Sequence, residues 1–352
     1  MRPSRVVVDL AALRDNYAYA KARHGSKVVA VLKADAYGHG AIRCAQALEP
    51  VVDALAVAFV EEAVSLRSAG VRAPILVLEG AFDESDFEWA IAHDCWLVVH
   101  QASQIEWLEK AKAHHRIHVW LKVNSGMHRL GFDVNEVESA WHRLKSCACV
   151  DDITLMTHLS SADELANSAT SWQVAKFQRA NQALSGAVSI ANSSGILDWE
   201  ASHQDWGRAG IMLYGVNSSD SSHHALKPVM TLESSVFAVR NIQAGDAVGY
   251  GAGFIATQPT RVGLVAIGYA DGYPRTVPTG TPVSVGGHIT QIIGRVSMDM
   301  LTIDLSSLPD VGIGSRVELW GAQVSVKDVA SSAGTIAYEL LCGVKRVPMV
   351  YQ

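Results

Sequence analysis

From Ser26 to about Ala225, short apolar runs alternate with amphipathic helical patterns, and this alternation constrains the fold more than any other feature of the chain. The runs read as strands are Val28–Leu32, Leu55–Phe59, Ile75–Leu78, Trp96–Val99, His118–Val123, Ile153–His158, Ser189–Ala191 and Ile211–Tyr214. They are continuous in hydrophobicity rather than alternating, as strands buried on both faces must be. Eight such units close a (β/α)₈ barrel. Glu61–Ala69, Ser103–Ala113 and Asn135–Lys145 are among the helices expected between them. A further helix over Asp9–Arg23, with Asp9 as N-cap, precedes the first barrel strand, and the strand Arg5–Val8 is left over and expected to pair elsewhere.

After Lys227-Pro228 the texture changes to short strands rich in valine and glycine: TLESSVFAV, RVGLVAIGY, TPVSVGG, MLTIDL and SRVELWG, with one helix near Val326–Ala333. The expectation is an α/β barrel over residues 1–225 followed by a smaller mainly-β domain over 226–352. A chain of 352 residues is long enough for both. There is no internal repeat, and Ser218–Ser222 reads as a polar loop.

Composition removes several function classes. A formal charge of −6 lacks the basic face that nucleic acid requires. No apolar run approaches the roughly eighteen residues of a membrane span, and Asp9 interrupts the opening stretch too early for a signal peptide. The five cysteines, Cys44, Cys95, Cys147, Cys149 and Cys342, show neither CxxC pairing nor zinc-site spacing, which points to free thiols in a reducing cytoplasm. Fourteen histidines invite a metal reading, but His114-His115 closes a polar helical pattern and reads as a solvated pair, so no metal is expected.

The chemistry begins at AVLKADAYGHG, residues 30–40. Lys33 ends the first barrel strand, where catalytic groups of such barrels sit. An amine at the close of an apolar strand is partly desolvated, which favours the neutral form that bonds an aldehyde as an imine. Taken alone, a strand-end lysine pointing into solvent is the plainer reading. Tyr37, His39 and two glycines follow at once, which suits a loop closing over an anion. His158 ends the sixth strand, Asn192-Ser193-Ser194-Gly195 follows the seventh, and Arg208-Ala209-Gly210-Ile211 precedes the expected eighth, where barrels commonly hold phosphate. Gly249-Tyr250-Gly251-Ala252-Gly253 lacks the strand–turn–helix setting of a dinucleotide fingerprint and reads as a turn.

The chain resembles alanine racemases of pyridoxal phosphate fold type III over nearly its whole length. The matching strings are AVLKADAYGHG, LKVNSGMHRLG, THLSSAD, ANSSG, RAGIMLYG, GYADGYPR, GRVSMDM and AYELLC, in order. The resemblance implies an initial strand that joins the β domain. It also implies that Lys33 holds the cofactor and acts as base for the D-enantiomer, while Tyr269 acts as the opposite base for the L-enantiomer. His158 and Arg208 would lie behind Tyr269, with Arg208 also facing the pyridine nitrogen. Tyr37, Asn192, Ser193, Gly210, Ile211 and Tyr338 would serve the cofactor, chiefly at its phosphate. Arg129 would bond the cofactor's phenolic oxygen and the substrate carboxylate, the backbone N–H of Met298 would also contact that carboxylate with Asp299 beside it, and Lys122, carbamylated in some relatives, would brace Arg129. Ser189 stands where many relatives have histidine, and Met349 where they often have arginine. The activity so implied interconverts L- and D-alanine, for peptidoglycan or for alanine catabolism, in a cytoplasmic homodimer whose second domain completes the partner's site. A serine or broad-specificity racemase and a non-catalytic pyridoxal phosphate carrier are the alternatives. Carriers lack the β domain that GYADGYPR and GRVSMDM mark.

Overall fold

The computed structural model describes residues 2–111, 116–219, 221 and 225–352; His114-His115 and parts of the expected 103–113 helix and 218–222 loop lie outside them. The chain divides into two compact units, Leu13–Leu226 and Met1–Ala12 with Lys227–Gln352. In the first, eight parallel strands run in the order Trp206–Ala209, Lys27–Val31, Ala54–Val57, Ile75–Val77, Cys95–Val99, Ile117–Asn124, Val150–Met156 and Ala187–Ser189. Between the two end strands the Arg208 N–H donates to Ala191 O at 2.9 Å, so the sheet is a nearly closed barrel. Residues such as Val28, Leu55, Ile75, Trp120 and Leu155 are fully buried, which accounts for the unbroken apolar runs.

One expected strand is wrong. Ile211–Tyr214 is a 3₁₀ turn, and the eighth strand is Trp206–Ala209, paired in parallel with Lys27–Val31. The turn is entirely buried, so its hydropathy matches that of a core strand. The bends at Gly210 and at Gly215, with φ of 85° at the latter, take it out of the ladder. The true strand contains Gly207 and Arg208 and carries no apolar signature. Arg208 therefore lies within the last strand rather than ahead of it. The first helix is Leu10–His24, with the Asp9 carboxylate accepting from the Ala11 and Ala12 N–H groups at 2.9 and 2.8 Å.

In the second unit the strand Met230–Ile242 pairs antiparallel with Arg5–Val8, Arg316–Trp320 and Thr260–Val265. Register shifts at Leu232/Glu233 and Val236/Ala238 let it serve these partners in succession. Arg5–Val8 also pairs in parallel with Met349–Tyr351. The helix Val326–Ala333 is followed by a second, Ala337–Gly343, which the sequence pattern did not reveal.

Candidate active site

Lys33 leaves the Lys27–Val31 strand into an unusual backbone. Ala34, Asp35, Ala36 and Tyr37 have φ between 51° and 54°, a full turn of left-handed helix built from non-glycine residues. Each such residue costs about 1–2 kcal/mol, so surrounding contacts must impose the turn. Glu62 supplies one: its Oε1 accepts from the Ala34 N–H at 2.6 Å, while Oε2 accepts from Ala58 and Phe59 at 2.7 and 3.2 Å. Asp35 Oδ1 accepts from the Ala41 N–H at 2.6 Å. His39 is buried, which lowers its pKa to about 4, so the ring is neutral. Its Nδ1 lies 2.9 Å from the carbonyls of both Ala36 and Tyr37 and carries the proton it donates to them.

Tyr37 is thereby brought to the residues after the seventh and eighth strands. Asn192 Oδ1 caps the short Ser193–Asp198 helix through the Gly195 N–H at 2.9 Å. Ser193 Oγ accepts from the N–H groups of Gly210 and Met212 at 2.9 and 3.4 Å. A Cβ on Gly210 would stand 3.0 Å from Tyr37 Oη and 3.6 Å from Ser193 Oγ. The phenol, the hydroxyl and a backbone open only because residue 210 is glycine converge on one place. Ile211 opens the buried turn that follows. A set of hydroxyl and amide donors around a side-chain-free backbone fits the phosphate of pyridoxal phosphate.

The floor of the site is cationic. Arg208 is buried and held by several acceptors: Nη1 donates to Ser189 Oγ at 2.6 Å, and Nη2 donates to Thr157 O at 2.6 Å and more weakly to Ile190 O and His158 Nδ1, each at 3.4 Å. Burial lowers its pKa to about 10, leaving it charged at neutral pH. His158, desolvated and surrounded by Arg208, Arg129, Lys122 and Lys33, is held well below the usual histidine range. A guanidinium can only donate, so His158 accepts at Nδ1 and carries its proton on Nε2. Lys122 is buried beside the same cations and falls to about 8, desolvation being the larger cause and Glu79 opposing it. A void of about 10 Å³, room for one water, is lined by Lys122, Ser125, Arg129, Thr157 and His158 among others. At Ser189, where histidine was noted in many relatives, the hydroxyl accepts from Arg208 and donates to Trp206 O at 2.9 Å.

The second unit holds its own group. Tyr269 opens a 3₁₀ turn, its N–H donating to Ser297 O at 3.1 Å, and the Ala270 N–H donates to Met298 O at 3.0 Å. This joins GYADGYPR to GRVSMDM. Gly268 is required there, since a Cβ would come within 2.3 Å of Ser297 O. Asp271, fully buried, anchors the turn: its carboxylate takes both oxygens to Arg2 Nη1 at 2.8 Å and accepts from the Gly268 N–H at 3.1 Å. Arg346 lies 3.8 Å from Asp271 and donates to Asp299 at 3.1 Å. Tyr269 and Met298 remain exposed, at 36% and 53%. Tyr338 lies on the Ala337–Gly343 helix, and Met349 Sδ accepts from the Tyr351 hydroxyl at 3.4 Å.

Glu62, Asp271 and Arg346 escaped the sequence reading. None left a motif: at Glu62 the residue three positions earlier is Phe59, which has no side-chain acceptor to form a capping box. The Arg2–Asp271 pair spans 269 positions and leaves none.

A parallel barrel with an amine, a buried guanidinium and a phosphate cradle at the carboxyl ends of its strands, linked in sequence to a β domain, defines a pyridoxal phosphate enzyme of the barrel type. Residues 8–218 match the family model for the alanine racemase N-terminal domain, and residues 229–351 match that for the C-terminal domain. An alanine racemase of Azoarcus sp. (strain BH72) is 54% identical over all of both chains. The crystal structure of a biosynthetic alanine racemase from Pseudomonas aeruginosa superposes with a TM-score of 0.96 at 45% identity, covering all of both chains. That of an alanine racemase from Bartonella henselae with covalently bound pyridoxal phosphate gives 0.91 at 30% identity, again over all of both chains. The chain belongs to the alanine racemase family.

Proposed function

We propose that this enzyme interconverts L- and D-alanine on pyridoxal phosphate, with two proton-transferring groups on opposite faces of the substrate. The bound cofactor supplies a conjugated ring that withdraws electrons from the substrate's α-carbon and acidifies its C–H bond. Lys33 Nζ bonds the cofactor and exchanges the α-proton of D-alanine. The Tyr269 hydroxyl exchanges that of L-alanine from the other face. Tyr37, Ser193, Gly210 and Ile211, with Asn192 capping the helix beside them and with Tyr338, hold the phosphate. Arg208 faces the ring nitrogen, and a guanidinium already bonded to Ser189 and Thr157 brings no proton to give it. Neutral His158 supports Arg208 through Nδ1. Arg129 receives the substrate carboxylate together with the Met298 N–H, with Asp299 beside that N–H. The lowered pKa of Lys122 supplies the neutral amine that carbamylation requires, and a carbamate there would offset the positive charge of Arg129 and Arg208.

The observation that carries the residue assignment is the left-handed turn after Lys33, which sets Tyr37 beside Ser193 and Gly210. The proposed assembly is a homodimer in which the partner subunit's Tyr269 completes each site. The cytoplasm is the proposed compartment, supported by five cysteines that form no disulfide. Among the described residues no helix is long and apolar enough to cross a membrane. Mixing inactive Lys33→Ala and Tyr269→Ala chains tests the assignment and the shared site together. Partial activity should return, because one site in each mixed dimer keeps both bases. No recovery after verified subunit exchange would refute it.

A further inference from the structure

Glu62 does two jobs with its two oxygens. Oε2 serves the Val60–Ser68 helix by accepting from Ala58 and Phe59, as a capping-box glutamate does. Oε1 reaches 28 positions back along the sequence to the Ala34 N–H at 2.6 Å, a bond that no helix cap needs. Ala34 is the first left-handed residue after Lys33. Three N–H donors meet the two oxygens, so both oxygens accept. We propose that Glu62 is a positioning residue for Lys33, fixing through Ala34 the left-handed turn that aims the amine at the cofactor and the Tyr37 ring at its phosphate. This rests on the reading of Lys33 as the cofactor-bonding residue.

A glutamine separates the two jobs. Glutamine is an accepted capping-box residue, so Glu62→Gln keeps its carbonyl on the helix cap and turns its NH₂ toward the Ala34 N–H, donor against donor. Glycine at position 34 removes the steric cost of the left-handed conformation, so Glu62→Gln/Ala34→Gly should restore what the single change loses. The experiment uses purified holoenzymes and follows melting temperature, cofactor release into excess phosphate buffer, the pH titration of the imine absorbance, and the fraction of Lys33 fixed to cofactor by borohydride. The Glu62→Gln protein should melt with the wild type and release cofactor about 10- to 100-fold faster, the factor for one charged hydrogen bond. Its imine titration should be displaced and its kcat lowered more than its KM is raised. The double variant should move back toward wild type in release and titration. Wild-type release and titration in Glu62→Gln would overturn the proposal. So would a fall in melting temperature that tracks the loss and that Ala34→Gly leaves unrepaired. Failure of borohydride to fix the cofactor on Lys33 in the wild type would instead overturn the Lys33 assignment, and the proposal with it.

Discussion

Replacing Asp271 by asparagine should uncouple two events that racemisation joins. The carboxylate is fully buried and bonded to Arg2 through both oxygens, and it also accepts from the Gly268 N–H at the start of the Tyr269 turn. Asparagine keeps one acceptor oxygen and loses the charge. Charged hydrogen bonds contribute about 1.5–3 kcal/mol each, and a buried charge stripped of its partner costs about 3–5 kcal/mol. Arg2 retains 30% side-chain exposure and Arg346 51%, so both can turn to water. The loss should therefore be about 2–3 kcal/mol in unfolding free energy. The local effect falls on the rate, because a displacement of about 1 Å in a reacting group costs about 10²-fold. On the proposed roles, with D-alanine in deuterated water, Lys33 would still remove the α-proton and return a deuteron to the same face, and delivery to the other face would need Tyr269. The ratio of inversion to exchange should thus fall by about 10²-fold while exchange itself persists. A parallel fall of both rates, or an unchanged ratio in a variant destabilised as expected, would refute the view that Asp271 holds Tyr269 in place.

Two further outcomes follow from the barrel. Lys122 has a folded pKa of about 8 against an ordinary 10.5, so its charged form is penalised by about 3 kcal/mol below pH 8, and that penalty is relieved as pH rises from 8 to 10.5. In buffer purged of carbon dioxide, Lys122→Met should raise stability by up to that amount at pH 7, with the advantage fading across that window in denaturant titrations; a pH-independent difference would contradict the burial argument. Gly210→Ala places a methyl 3.0 Å from Tyr37 Oη, so cofactor affinity should fall about tenfold while the cofactor-free protein melts unchanged; equal affinity by fluorescence titration would remove Gly210 from the phosphate cradle.

Six barrel strands were legible because a parallel strand covered on both faces is largely apolar, as Val28–Val31 and Ile75–Val77 are, and the seventh, expected over Ser189–Ala191, forms at Ala187–Ser189. The eighth was missed for the same reason in reverse. Trp206–Ala209 carries a glycine and a buried arginine, while the buried 3₁₀ turn beside it carries neither. Lys33, Arg208 and Tyr269 stood out through the strings around them, and Ser189 as a departure from a pattern. That Ser189 supplies the hydroxyl that Arg208 bonds came only from the fold.

Local hydrophobic period and motif order determine the barrel, the β domain, the family and the candidate reactive side chains, because these are properties of neighbours along the chain. The left-handed turn after Lys33 belongs to the tertiary structure alone. Alanine, aspartate and tyrosine have no local preference for that conformation, and the Glu62 carboxylate that receives Ala34 comes from another helix. The lowered pKa values of His158 and Lys122 were decided there too, since desolvation and the field of several cations exist only once the strands converge.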